Sequence, residues 1–153
     1  MTVAEPIADD EVILRRIPPS KLDHDSTSPR VGGGLRAASF RMATDERKGE
    51  EGLSCTRLLQ TSPQMLLADL LSDSIDPTGW DVCRLFVRDV RALGLDVIHK
   101  PTDRDRGHCE IVGKDQNKAL AFPNTKSQKL AKRTRILTAE EVAALKAGDT
   151  MVD

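Results

Sequence analysis

The sequence predicts an α+β fold, in which a small mixed or antiparallel sheet packs with a few short helices in a single domain. Strand-like segments rich in Val, Ile and Leu occur in both halves of the chain. Capped helix starts stand at Ser62 and Thr138. A chain of 153 residues has the length of one domain, and such a domain buries roughly two-thirds of the surface of its unfolded chain.

Composition divides the chain into a leader, a domain and a tail. Residues 1–10 are predicted to form a flexible acidic leader, residues 11–148 the domain and residues 149–153 a tail. Inside the domain, residues 20–34 combine Asp, Ser and Pro with three consecutive glycines. A loop of that length is usually functional or mobile, so we expect a lid or a loose connection there.

Three strands are predicted before the first helix. Glu11–Ile17 is a β-rich run that Pro18 and Pro19 stop. Ala37–Met42 and Gly52–Arg57 are two further short strands. These segments supply the first half of the sheet.

The first helix begins where Ser62 can act as N-cap and Pro63 as the first helical residue. Its apolar residues cover most of the circumference, which predicts a buried helix. Residues 80–93 fit either one amphipathic helix or a strand over Val82–Val87 followed by a helix over Asp89–Leu93. Their β-branched and aromatic content favours the strand followed by the helix.

The remaining elements are a hairpin and two helices. Leu95–His99 and His108–Val112 are predicted strands joined by the polar loop Pro101–Gly107. Ser127–Arg133 is predicted to be a basic helix. Thr138 opens a capping box and a final helix to about Ala147.

Positive charge is concentrated near the end of the chain. Residues 114–135 contain seven basic residues and one acidic residue, a charge of +6, whereas the other residues contain 16 basic and 23 acidic ones, a charge of −7. Charge asymmetry of this kind points to a partner, either a nucleic-acid backbone or an acidic protein surface. The predicted contact residues are Lys126, Lys129, Lys132, Arg133 and Arg135.

The cysteines and histidines predict no strong metal or redox site. Cys55, Cys83 and Cys109 are an odd number without CxxC spacing, which favours reduced thiols buried as small apolar groups. His108 shares a strand face with Glu110, and His99 is a weak candidate for a metal site with His108 if the hairpin register brings them together. We expect no metal and no resident cofactor.

One ordered set of residues suggests an enzyme. Arg15 or Arg16 lies on the first strand, Ser54-Cys55-Thr56 on a middle strand and Glu110 on a late strand. This order resembles the Arg, Ser-x-Ser/Thr and Glu series of ADP-ribosyltransferases. The resemblance implies a split β-sheet that binds NAD. It also implies that the arginine binds phosphate or ribose, that Ser54 orders the site and that Glu110 stabilises the transition state.

Two functions therefore follow from the sequence. The first is a small intracellular binding or accessory protein whose basic carboxy-terminal segment contacts nucleic acid or an acidic protein. The alternative is an ADP-ribosyltransferase-like enzyme in which Arg15, Ser54 and Glu110 act on NAD. Because the chain has no secretory signal and no long apolar run, we expect a cytoplasmic protein without membrane contact.

Overall fold

A computed structural model describes residues 4–18, 53–113 and 129–152 with their side chains, and the backbone of residues 30–31, 34–35 and 124–128. The predicted strand Ala37–Met42, most of the predicted loop 20–34 and the side chain of Lys126 lie outside this part of the chain. The fold is α+β, as the sequence predicts, and its main sheet is antiparallel.

The main sheet has six strands in the order β6-β7-β4-β1-β5-β8. Two further strands, β2 and β3, pair as a small separate ribbon within and just after the predicted 20–34 loop. The strand bounds are β1 Val12–Ile17, β2 Arg30–Val31, β3 Gly34–Leu35, β4 Leu53–Arg57, β5 Asp81–Phe86, β6 Leu95–His99, β7 His108–Gly113 and β8 Arg135–Ile136. The strands predicted at Glu11, Gly52, Val82, Leu95 and His108 are thereby confirmed.

Alternation along the strands gives the sheet two different faces. One face carries Ile13, Cys55, Cys83 and Cys109 in a single apolar cluster, and we call it the thiol face. The opposite face, which we call the cleft face, carries Leu14, with Val12, Val82 and Phe86 in a second cluster. Both faces are covered in part by helices, so the sheet lies between two partial helical layers.

The helices divide between these faces. Helices α2, Val87–Ala92, and α3, Asn124–Arg133, contribute buried residues to the cluster on the thiol face. Helices α1, Pro63–Asp69, and α4, Ala139–Ala144, pack on the cleft face. A short 3₁₀ helix, Leu70–Asp73, continues α1.

Helix α1 begins as predicted, because the Ser62 hydroxyl accepts a hydrogen bond from the Met65 N–H. The prediction that this helix is buried is wrong. Leu66 is buried, but Met65 is 58% exposed and Leu71, in the 3₁₀ continuation, is 62% exposed. The helix packs on the sheet along one side only, so an apolar circumference leaves part of its surface in solvent.

Helix α4 has the predicted capping box. The Thr138 hydroxyl accepts from the Glu141 N–H, and the Glu141 carboxylate accepts from the Thr138 N–H. The helix ends at Ala144, before Gly148, which has a positive φ of 90°.

The segment predicted as a flexible leader contacts the sheet through Glu5 and Ile7. Ile7 is buried in the cluster on the thiol face. The guanidinium of buried Arg57 bonds to both oxygens of Glu11 and to Glu5, each within 2.8 Å. The ion pair with Glu5 joins the leader to the end of β4, and the pair with Glu11 joins the residue before β1 to the same place. Within the described residues, no helix is long and apolar enough to cross a lipid bilayer.

Candidate active site

Strands β1 and β4 pair over only a short distance, and a cleft opens where their pairing stops. Their register joins Ile13 to Arg57 and Leu14 to Thr56, whereas β1 and β5 pair over six residues. Beyond Leu14, Nη1 of Arg15 donates to the Ser54 carbonyl at 2.6 Å. A side chain thus donates the hydrogen bond to the Ser54 carbonyl, which would accept from a backbone N–H of β1 if the strands stayed paired.

The cleft has a volume of about 540 Å³, which lies within the range of small-molecule sites. Its floor is formed by β1, β4 and β7, and its walls by α1, the 3₁₀ helix and the Pro101–Gly107 loop. The lining residues are Leu14, Arg15, Arg16, Ser54, Cys55, Thr56, Leu66, Asp69, Asp73, Trp80, Thr102, Arg104, Asp105 and His108.

Ser54 and His108 meet on the floor. Nδ1 of His108 lies 2.9 Å from the Lys100 carbonyl oxygen, and Nε2 lies 3.4 Å from the Ser54 hydroxyl. Because a carbonyl oxygen only accepts hydrogen bonds, Nδ1 is the protonated nitrogen of the neutral ring. Nε2 therefore presents its lone pair to the hydroxyl of Ser54.

Arginines and aspartates form one wall. Arg104 makes paired contacts of 3.0–3.2 Å with the carboxylates of Asp69 and Asp73. Its hydrogen bond with Asp73 and then its bond with Asp69 raise the pKa of Arg104, and the bond from Arg104 lowers the pKa of Asp73. Arg16 is held more loosely, with one nitrogen 3.6 Å from Asp69 and 3.1 Å from the Leu66 carbonyl.

The hairpin loop is tied to the floor by Asp105. One carboxylate oxygen accepts from the Thr56 hydroxyl at 2.9 Å and the other from the Gly107 N–H at 3.0 Å. A Cβ added at Gly107 would lie 3.0 Å from the Thr56 methyl group and 3.2 Å from the Arg57 carbonyl oxygen. The loop therefore sits tightly against β4 at the edge of the cleft.

The three catalytic candidates of the ADP-ribosyltransferase resemblance lie close together. Ser54 is the register partner of Glu110, so these two side chains share the cleft face, whereas Arg15 pairs with Cys83 on the thiol face and reaches the Ser54 carbonyl with its guanidinium. Glu110 is 1% exposed and bonds to Nζ of Lys100 at 3.0 Å. Its carboxylate is thus engaged by Lys100, and Glu110 is not among the residues that line the cleft.

His99 lies apart from His108. Its register partner is Cys109, which puts His99 on the thiol face, while His108 pairs with Thr56 on the cleft face. The weak proposal of a shared metal site is therefore wrong, because the two imidazoles point to opposite sides of the sheet. His99 instead accepts the Glu5 N–H at Nδ1 and bonds to the Arg106 carbonyl through Nε2.

The three thiols are free and buried. Burial raises the pKa of Cys55 to about 11 and that of Cys83 to about 12, and it also raises the pKa of Cys109. Thiols in this state are weak nucleophiles at neutral pH. The prediction that they behave as small apolar residues is confirmed.

The basic residues near the end of the chain differ in their pairing and exposure. Arg133 pairs with Asp89 at 3.3 Å, and Arg135 makes a double contact with Glu141 at 2.7 and 2.8 Å. Lys129 and Lys132 are exposed on α3. Part of the predicted positive surface is thus neutralised by carboxylates of the protein itself.

Trp80, Arg104 and Asp105 line the cleft but were not among the site residues predicted from the sequence. Trp80 is the only tryptophan of the chain, and a single large ring beside a strand start was a signal that could have found it. No such signal marked Arg104 and Asp105, because a mixed-charge hairpin loop is typical of exposed turns.

Comparison with known proteins gives no significant match to a family model, to a curated protein or to a solved structure. The fold and the site therefore define the class of the protein by themselves. It is an α+β protein with a split between two neighbouring strands and a polar cleft above that split.

Proposed function

We propose that the protein is an enzyme that acts on a small molecule in the cleft between β1 and β4. The observation that carries this proposal is the convergence of Arg16, Ser54 and His108 on one cleft face, on three strands that are distant in sequence. Polar and titratable side chains that meet in a concave site are the usual mark of an active site.

The cleft suits a ligand that combines an anionic group with a planar ring. Arg16 contacts its nearest carboxylate through one long ion pair, and 31% of its side chain is exposed. A guanidinium has five N–H donors, so Arg16 retains donors for a carboxylate or phosphate. Trp80 on the same lining supplies an aromatic surface for a ring.

NAD has both features and is the ligand implied by the Arg, Ser and Glu order. The register of Ser54 with Glu110 and the contact of Arg15 with the Ser54 carbonyl favour this candidate. Burial of Glu110 against Lys100 weighs against a direct role of that carboxylate. NAD is therefore the first ligand to test, before other molecules that combine an anionic group with a planar ring.

Trp80 gives a direct test of binding. The chain has one tryptophan and no tyrosine, so the near-ultraviolet fluorescence of the protein reports on Trp80 in the cleft. We expect NAD or AMP to change this emission with saturation, whereas adenosine and inorganic phosphate, each with one of the two features, bind more weakly. No response to any of these ligands would contradict the proposal.

Arg16→Gln sharpens that test. Loss of a charge-assisted hydrogen bond weakens binding by about tenfold or more. Lys129→Gln is the matched control, because it removes a positive charge from α3, which packs on the thiol face. Equal affinities of the two variants would show that the arginine does not hold the ligand.

A second candidate function is contact of the basic segment with a polyanion or an acidic protein. Lys129 and Lys132 support it, because both are exposed and lie three residues apart on α3. The double variant Lys129→Glu, Lys132→Glu should lose retention of a nucleic acid or of an acidic protein, and Lys146→Glu should keep it. Release by salt and nuclease indicates nucleic acid, and unchanged retention in the double variant contradicts this function.

We also propose a cytoplasmic location. Three free, buried thiols fit a reducing compartment. Fractionation of cells that express the chain would test this.

A further inference from the structure

We propose that Ser54 and His108 form a nucleophile and general-base pair that hydrolyses carboxylic esters in the cleft. This inference rests on the proposed function, because the same cleft must admit the substrate. It assigns a reaction and two catalytic residues to that cleft.

The geometry of His108 points to the role of a base. With its proton on Nδ1, the ring has a single acceptor, Nε2, and the hydroxyl of Ser54 lies 3.4 Å from it. A serine hydroxyl is a weak nucleophile until a neighbouring base takes its proton. Such contacts are often long without substrate and shorten in the complex.

The backbone of Lys100 fixes the orientation of the imidazole. Lys100 N–H donates to the His108 carbonyl at 2.8 Å, and Nδ1 of His108 donates to the Lys100 carbonyl at 2.9 Å. These two bonds hold the Nδ1-protonated tautomer of His108 in one orientation against the end of the β6–β7 hairpin. An orienting acceptor behind the base is the third part that nucleophile and base pairs require.

Ester hydrolysis balances with water as the only co-reactant. Ser54 Oγ attacks the carbonyl carbon and forms a C–O bond, while its proton passes to Nε2 of His108. Collapse of the tetrahedral intermediate breaks the bond to the alcohol, which leaves with that proton. Water then attacks the acyl-serine, gives its proton to Nε2 and releases the acid, and Ser54 regains its proton from His108.

The surroundings of the pair suit an ester that carries an anionic group and a planar ring. Arg16 lies two residues beyond Leu14, whose register partner is Thr56, so it faces Ser54 across the gap between the strands. Its positive charge is placed to bind a carboxylate of the substrate. Trp80 lines the same cleft and can support the ring of an aryl ester.

The first experiment measures turnover. The probe is mono-para-nitrophenyl succinate, which has a ring and a carboxylate, compared with para-nitrophenyl acetate, which lacks the carboxylate. We expect the wild-type protein to prefer the succinate ester, and Ser54→Ala and His108→Gln each to lower the rate by about a hundredfold or more. Ser72→Ala, at an exposed serine of the 3₁₀ helix, should have no effect. Absence of wild-type turnover, or equal rates in all four proteins, would overturn the inference.

The second experiment tests the pair without a substrate. Ser54→Cys places a thiol beside His108, and the three native thiols are buried, so iodoacetamide should alkylate the new thiol selectively. Activation by the imidazole should make this reaction roughly tenfold faster in Ser54→Cys than in Ser54→Cys, His108→Gln. Equal alkylation rates would overturn the pairing even where the alanine variant fails to fold.

The two proposals fail in different ways. A Trp80 emission change with ligand in Ser54→Ala, together with no ester turnover by the wild-type protein, keeps the binding site and removes the pair. No emission change in the wild-type protein removes the proposed function, while the alkylation rates still decide whether His108 activates position 54.

Discussion

The two faces of the sheet place the same kinds of residue in different environments. On the thiol face His99 is buried with both ring nitrogens bonded to backbone groups, and Cys109 is buried in the apolar cluster. On the cleft face Ser54 and His108 are half-buried and line a cavity. The chemical type of a side chain therefore does not separate structural from functional positions in this chain. Burial and access to the cleft do, since His99 and Cys109 are buried whereas Ser54 and His108 line the cleft.

Arg57 and Arg16 extend this comparison to charge. Arg57 is 2% exposed, and burial lowers its pKa, but the hydrogen bonds that it donates to Glu11 and Glu5 outweigh that effect and leave the pKa raised. Arg16 shares one long contact with Asp69 and keeps part of its surface in the cleft. The first arginine holds the leader to the sheet, and the second can exchange its partner for a ligand.

Thiol reactivity is the most direct test of the difference between the two faces. If the thiol face is closed, none of the three cysteines should react with a disulfide reagent in the native protein. Reaction then requires opening of the fold, so the rate should fall roughly a thousandfold or more below that in denaturant. Mass spectrometry of the labelled peptides checks this, and fast native labelling of Cys55 would show that the face is open.

Replacement of the buried arginine should give the largest loss of stability. Arg57→Met leaves Glu11 without its buried partner, and breaking such a pair costs about 3 kcal/mol of the free energy of unfolding. Arg16→Met should cost less than about 1 kcal/mol, because its ion pair is exposed. Urea titrations of both variants measure the difference, and equal losses would erase the distinction between the two arginines.

Gly107 tests how tightly the hairpin loop closes the edge of the cleft. In Gly107→Ala the new methyl group approaches Thr56 and the Arg57 carbonyl, and the fit costs about 1 kcal/mol. Because the strain falls beside Thr56, ligand affinity measured through Trp80 should fall as well. Gly94→Ala is a control of a different kind, because the positive φ of 80° strains it away from the cleft. It should lower stability and leave the affinity of the folded protein unchanged.

The smallest expected effect is a pH dependence at α4. Hydrogen bonds from Arg135 and then from the Thr138 N–H lower the pKa of Glu141 from the ordinary 4.5 to about 2. The carboxylate therefore adds stability that is complete above pH 4.5 and is lost as the pH falls toward about 2. The exposed pair should contribute less than about 1 kcal/mol. The stability difference between wild type and Glu141→Gln should shrink over that interval, and a constant difference would contradict the assignment.

The sequence predicted most of the sheet, because strand signals are local. The hairpin of β6 and β7, the strand followed by a helix after Trp80, and the caps at Ser62 and Thr138 all arise from residues within one element. The exposure of α1 was missed, because the packing area of a helix depends on the partner surface and not on its own pattern.

The cleft could be predicted only in part. The order of Arg15, Ser54 and Glu110 placed three residues on three strands, and these strands do come together. Strand register puts Ser54 and Glu110 on the cleft face and Arg15 on the thiol face, and the contact of buried Glu110 with Lys100 keeps that carboxylate out of the cleft. Register and the early end of the pairing between β1 and β4 are tertiary properties that no single segment encodes.

The acceptor behind His108 is the backbone carbonyl of Lys100. A scan that replaces every side chain in turn would leave this oxygen in place, and it would report two important residues where three groups cooperate. An ester after Lys100, made with a hydroxy acid in place of Pro101, would weaken this acceptor, and Pro101→Ala would show what the loss of the proline ring contributes by itself.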